Sequence, residues 1–196
     1  SYLITNTTMN MDRLVIKQVL GNEQVTWYYV VSLIGKTLVL LIAPINTIVI
    51  SYLTRRKELL TRSQFGKAVL AGSGVSFVFF LACQVGTPLF VWLFYRNLYD
   101  SVRGLVTVVN LAQILGLFSA FLFILVLTFT DEKWQLWIQL AHFAILLVSS
   151  VLAARAYGMI GFAWASLGAN SLRVAAVIIL GLAKAGKDKG GSNADR

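Results

Sequence analysis

The chain has little of what soluble enzymes and secreted domains are built on. Of its 196 residues only 13% are charged, and only 8 are acidic. A single cysteine, Cys83, excludes an internal disulfide framework, and with the lone histidine, His142, it makes no metal-ligand cluster. No pair of histidines spaced for a zinc protease, no nucleophile elbow, no phosphate-cradling glycine loop and no carboxylate cluster occurs. Catalysis is therefore the least supported function class, and neither a metal nor a cofactor is expected.

Apolar residues are what the chain has. They make up 58% of it, and the mean hydropathy of +0.76 is far from that of an aqueous fold. In hydrocarbon every backbone group must be satisfied within the structure, which leaves helices and closed barrels. The apolar runs are too long and too unalternating for barrel strands. The expected fold is an all-α polytopic membrane protein with about six transmembrane helices, at about 2–20, 25–53, 67–95, 104–129, 135–155 and 161–183, each near the ~20 residues a bilayer requires. Residues 184–196 read as a flexible tail. The first helix, with Asn6, Thr7, Thr8, Asn10, Asp12 and Arg13, is too polar to face lipid; it borders a watery cavity or does not cross. The Asn6-Thr7-Thr8 sequon within it is read as a chance match.

The net charge of +9 is read as topology and lipid contact, with nucleic acid discounted. Arg55, Arg56, Lys57, Arg62 and Lys67 fall in one loop. The alternation of spans adds Lys133, Lys184, Lys187, Lys189 and Arg196 to the same side, against Lys17, Arg96, Arg103 and Arg155 on the other. Because Lys and Arg are retained in the cytoplasm, this predicts a cytoplasmic 54–67 loop and C-terminus. The 54–66 segment is either an amphipathic surface helix or plain topogenic charge.

A 100° step per residue puts Tyr28, Ser32, Lys36, Asn46 and Thr47 on one face of the second helix. The same projection groups Thr5, Thr8 and Asp12 on the first, Thr107, Asn110 and Gln113 on the fourth, Gln135, Gln139, His142 and Ser149 on the fifth, and Ser166, Asn170 and Arg173 on the sixth. Only the third helix lacks such a stripe. Single amides and hydroxyls in membrane helices are often glue worth ~1 kcal/mol, but five stripes predict a hydrated interior. Lys36, about ten residues from either end of its span, lies too deep to snorkel easily. It either pairs with an acid such as Asp12 or faces a water-filled cavity as an anion-binding cation. His142 is a packing residue or a proton relay. Pro44 should kink the second helix. Small residues at 68–76 and 163–171 predict close helix packing.

Several stretches resemble a known family. Asn10-Met11-Asp12-Arg13-Leu14-Val15-Ile16, Leu20-Gly21, and a long helix from Tyr28 to Tyr52-Leu53-Thr54-Arg55 are similar to the start of the C-terminal half of polysaccharide flippases in the multidrug/oligosaccharidyl-lipid/polysaccharide exporter superfamily. Gly86-Thr87-Pro88-Leu89-Phe90-Val91-Trp92-Leu93-Phe94-Tyr95 and Tyr157-Gly158-Met159-Ile160-Gly161-Phe162-Ala163-Trp164-Ala165 resemble later parts of that half. The chain departs from the pattern in Thr26-Trp27 before the tyrosine, in the position of Pro44, and in lacking an acid on the fifth helix.

The resemblance implies one lobe of a twelve-helix transporter in a bacterial inner membrane, with an N-terminal lobe of the same protein as partner. Such transporters move polyprenyl-diphosphate-linked oligosaccharide outward by alternating access. It implies substrate contacts from Lys36, Arg173, Asn46, Asn110 and Gln113, and coupling of an ion through Asp12, with Gln139, His142, Ser166 and Asn170 as candidates. The alternatives are a cation-coupled multidrug exporter of the same superfamily and a non-transporting membrane scaffold subunit.

Overall fold

The structure, a computed structural model, describes residues 2–55, 61–127 and 129–185, with side chains at 11–38, 61–127, 129–131, 133–134 and 136–185. The described residues are all-helical. Five long helices follow in order: α1 (Tyr2–Leu20), α2 (Asn22–Arg55), α3 (Arg62–Phe94), α4 (Tyr99–Leu127) and α5 (Glu132–Lys184), with a short 3-10 turn, Arg96–Leu98, before α4. Of the proposed surface segment, 56–60 lies outside the described residues, as does the tail from 186.

Two glycines organise the chain. Gly21, at φ 95, separates α1 from α2, and Gly158, at φ 65 and ψ −147, interrupts α5. Such angles are open to glycine and costly for any residue with a Cβ. The break at Gly158 is a reversal. His142 and Asn170 lie 28 residues apart, yet their side chains meet at 3.2 Å. A straight helix would hold them about 42 Å apart. Limbs 132–157 and 159–184 therefore run back along one another, and Gly161 sits against the Ala153 carbonyl with no room for a side chain.

α3 starts at Arg62, before the apolar run at 67, because Thr61 and Gln64 form a reciprocal cap: the Gln64 N–H donates to Thr61 Oγ1 at 3.3 Å, and the Thr61 N–H donates to Gln64 Oε1 at 3.1 Å. Pro88, inside α3, removes the N–H that the Gln84 carbonyl would accept.

The apolar core has two parts, one near each end of the bundle. Met11, Val15, Ile16, Tyr28, Val31, Val91, Val102, Ala154 and Phe162 gather near the Gly21 and Gly158 reversals. Phe65, Phe118, Leu122, Phe129, Val177 and Ala185 gather at the opposite end. There Phe65 meets the Phe129 ring edge-on at 5.8 Å and Gly181 lies directly against Phe65. The start of α3, the end of α4 and the end of α5 thus share one end.

The outer surface is apolar. Leu70, Val85 and Leu89 on α3 and Trp137, Leu152 and Leu172 on α5 are exposed, Leu70 to 76%. Conversely Ser32, Thr87, Asn110, Ser119, His142, Ser150 and Ser166 are buried. An apolar exterior around buried polar groups suits a lipid surround and reverses the aqueous pattern. Among the described residues three helices are long and apolar enough to cross a membrane: Arg62–Phe94, Arg96–Leu127 and Leu136–Lys184. The protein is membrane-embedded.

Candidate functional site

The polar side chains fall into three groups, each between helices. The first joins α1, α2 and α4. Lys36 Nζ donates to Asp12 Oδ2 at 2.5 Å, and the pair is largely enclosed, with 27% of the lysine and 13% of the aspartate side chain exposed. The backbone N–H of Arg13 donates to the other carboxylate oxygen at 2.8 Å. The Lys36 ammonium also lies 5.7 Å from the Tyr28 ring centre. The Tyr28 hydroxyl interacts with Asp12 and accepts from Gln113 Nε2 at 3.4 Å. Gly35 permits this approach, since a Cβ there would stand 2.9 Å from Gln113 Cβ. Of the two arrangements open to Lys36, the structure has the pair with Asp12.

The second group joins α3 to α4. Asn110 is fully buried; its Nδ2 donates to the Cys83 carbonyl at 3.1 Å and to Gln84 Oε1 at 3.2 Å, while Thr87 Oγ1 donates to Asn110 Oδ1 at 3.3 Å. Gln84 Nε2 donates in turn to Thr107 Oγ1 at 2.9 Å. The covered carbonyl, of Cys83, is next in sequence to that of Gln84, which Pro88 leaves without its helical donor. Sequence reasoning missed Gln84 and Thr87, having found no polar stripe on the third helix. Their signal is an i, i+3 pair placed just before a proline.

The third group joins α4 to both limbs of α5. Asn170 Nδ2 donates to the Ala112 carbonyl at 3.0 Å, and its Oδ1 meets His142 Nε2. Gly116 lies beside this amide. One turn away, the Arg173 guanidinium covers the Phe123 ring at 5.1 Å, and its buried Nε has no hydrogen-bond partner among the described residues. Gln139 Oε1 and Ser149 Oγ are likewise buried without partners there. Ser166 is buried on the second limb. The Asn46 side chain lies outside the described residues.

The proposed substrate contacts are thus dispersed: Lys36 and Gln113 share the first group, Asn110 is held in the second and Arg173 in the third. The proposed coupling residues are dispersed as well. Asp12 bonds Lys36, and among the described residues no hydrogen bond or ion pair links it to Gln139, His142, Ser166 or Asn170. The described residues contain no cluster of three or more His, Cys, Asp or Glu able to hold a metal ion. No family model, curated protein or solved structure matches the chain.

Proposed function

We propose that the chain is one lobe of a membrane flippase that carries polyprenyl-diphosphate-linked oligosaccharide across a bacterial inner membrane, crossing it six times with the C-terminus in the cytoplasm. The observation that carries the reading is the Asp12–Lys36 ion pair, enclosed between helices in a bundle whose exterior is apolar. Ionised side chains at membrane depth are costly and mark pathways for substrates or ions more often than they serve packing. In the resting state Asp12 neutralises Lys36. A diphosphate entering between two lobes would compete with the carboxylate for the ammonium, and Asp12 would recapture it after release. The exchange keeps the cation compensated throughout the cycle.

The test uses the full-length protein in its host. Lys36→Ala should remove most surface glycan and accumulate lipid-linked precursor, at unchanged membrane abundance. Lys36→Arg should restore part of the export. Normal glycan export by Lys36→Ala would remove the role assigned to this residue. Resistance to cationic dyes on expression, without any glycan defect on deletion, would favour the multidrug exporter. A stable complex with unrelated membrane proteins, again without an export defect, would favour the scaffold.

A further inference from the structure

The two ends of the α5 hairpin meet at one corner of the bundle. Lys184, in the last turn of the second limb, holds its Nζ 5.8 Å from the ring centre of Trp134, in the first turn of the other limb. That is within reach of a cation–π contact. α3 joins the same corner. Phe65 lies directly against Gly181, so Arg62, one turn nearer the start of α3, and Lys184, one turn nearer the end of α5, stand at one level. Neither cation has an acidic partner among the described residues, whose ion pairs are Lys36–Asp12 and Arg103–Asp100. Asp131 is exposed at the same end and pairs with neither.

An apolar track leads away from this corner. Trp134, Trp137, Ala141, Ile145 and Val148 follow one another at steps of three and four, and all are exposed. From Trp134 to Ile145 the helix rises about 16 Å, close to the ~15 Å depth of one leaflet's hydrocarbon. The track thus has the length of an acyl chain, a tryptophan at its interfacial end and cations at its head. Hydrocarbon alone would cover the ridge and leave the cations to water. A zwitterionic headgroup would bring a cation of its own against them. An anionic phospholipid complements both parts: a chain on the ridge, and a phosphate that accepts from Lys184 and Arg62.

We infer that the corner formed by Arg62, Trp134 and Lys184 binds one anionic phospholipid of the surrounding leaflet. Its headgroup phosphate sits on the two cations and an acyl chain runs along the Trp134–Ile145 ridge. The Trp134 ring holds the Lys184 ammonium at the rim of the ridge, where a headgroup meets it. The site is on the lipid-facing surface and does not depend on the flippase reading.

The experiment is native mass spectrometry of the purified full-length protein in detergent, titrated with phosphatidylglycerol or with phosphatidylcholine. The parent should retain a phosphatidylglycerol molecule at concentrations where phosphatidylcholine does not bind. Lys184→Gln and Arg62→Gln should each weaken this first binding step about fivefold, the effect of one interfacial cation, and the double variant about 25-fold. Lys184→Arg should keep the parent affinity, which separates a lost charge from a lost fold. Trp134→Leu keeps the ridge apolar but releases the ammonium, and should weaken binding by less than Lys184→Gln. Lys67→Gln is the internal control. Lys67 is exposed at the same end but turned about 160° from Phe65 on α3, away from Gly181, and its loss should leave the affinity unchanged.

An equal fall in Lys67→Gln and Lys184→Gln would show that this end attracts lipid only through its general charge, and overturns the site. Equal affinity of the parent for the two lipids overturns it as well, and so does parent-like affinity in the double variant. Displacement of the bound lipid by inorganic phosphate would show that the cations take an anion from water and not from the leaflet, which likewise overturns the inference.

Discussion

Asp12 and Lys36 meet at 2.5 Å across the α1–α2 hairpin, 24 residues apart in sequence and brought together by the reversal at Gly21. The sequence offered this pairing as one of two readings of Lys36, while the family resemblance implied separate roles, ion coupling for Asp12 and diphosphate binding for Lys36. Joined, they are a neutral unit with Tyr28 and Gln113 beside it. What disturbs one member must disturb the other.

The pair predicts non-additive stability. Asp12→Asn or Lys36→Met alone leaves one charge without its partner, at a cost of about 2 kcal/mol; this is below the ~3–5 kcal/mol seen for fully buried pairs because both side chains keep some exposure. The double variant Asp12→Asn/Lys36→Met removes both charges and should recover most of the loss. Thermal unfolding in detergent measures the cycle. Additive losses would show that the two side chains do not act as a pair.

Asn110 makes a second prediction. It holds two donor bonds and one acceptor bond inside the α3–α4 contact. Asn110→Leu strands the Thr87 hydroxyl and uncovers the Cys83 carbonyl, for a loss of about 1–2 kcal/mol, since interhelical bonds in membranes are worth less than their burial suggests. Thr87→Val deletes one bond and should cost less than half as much. Equal losses would place the weight of the network on Thr87.

Helical class and the apolar runs followed from composition, and the ends of those runs marked where the chain turns. The expected helix ends at 20 and 25, and at 155 and 161, already broke the chain at both; the φ of 95 and 65 then identified Gly21 and Gly158 as the positions that a Cβ would strain. Polar stripes also told only part of the arrangement. A helical projection orders side chains around one axis and says nothing about which neighbour they meet, so Lys36 had two readings and Gln84 had none. Asn170 was placed on a stripe with Ser166 and Arg173. Its bonds to the Ala112 carbonyl and His142 depend on how α4 sits against the α5 hairpin, which is a matter of packing.

Backbone strain gives a third prediction, with an internal control. Gly158→Ala forces a Cβ onto φ 65, ψ −147, near a region populated almost only by glycine, and should cost about 1–3 kcal/mol. Nothing lies within 4 Å of a Cβ placed on Gly74, which sits in regular helix. Gly74→Ala should therefore be neutral or stabilise by up to about 1 kcal/mol. Unfolding midpoints of the two variants in one detergent make the comparison.

The proposed six crossings make the last prediction, which labelling can read directly. Cys83 is buried and free, so Cys83→Ser should give a silent background for single cysteines. Arg62 and Lys184 lie toward the end where Phe65 and Ala185 pack, whereas Arg96 and Arg155 lie toward the end of the Gly21 and Gly158 reversals. If both α1–α2 and the α5 limbs cross, cysteines at 62 and 184 react with a membrane-impermeant maleimide only from the cytoplasmic side. Cysteines at 96 and 155 then react only from outside. The decisive position is 155. Were α5 a single crossing without reversal, 155 would fall inside the bilayer and resist the reagent from both sides. The 3.2 Å contact between His142 and Asn170 requires the fold-back. Exclusive outside reactivity at 155, together with cytoplasmic reactivity at 184, is accordingly the expected result.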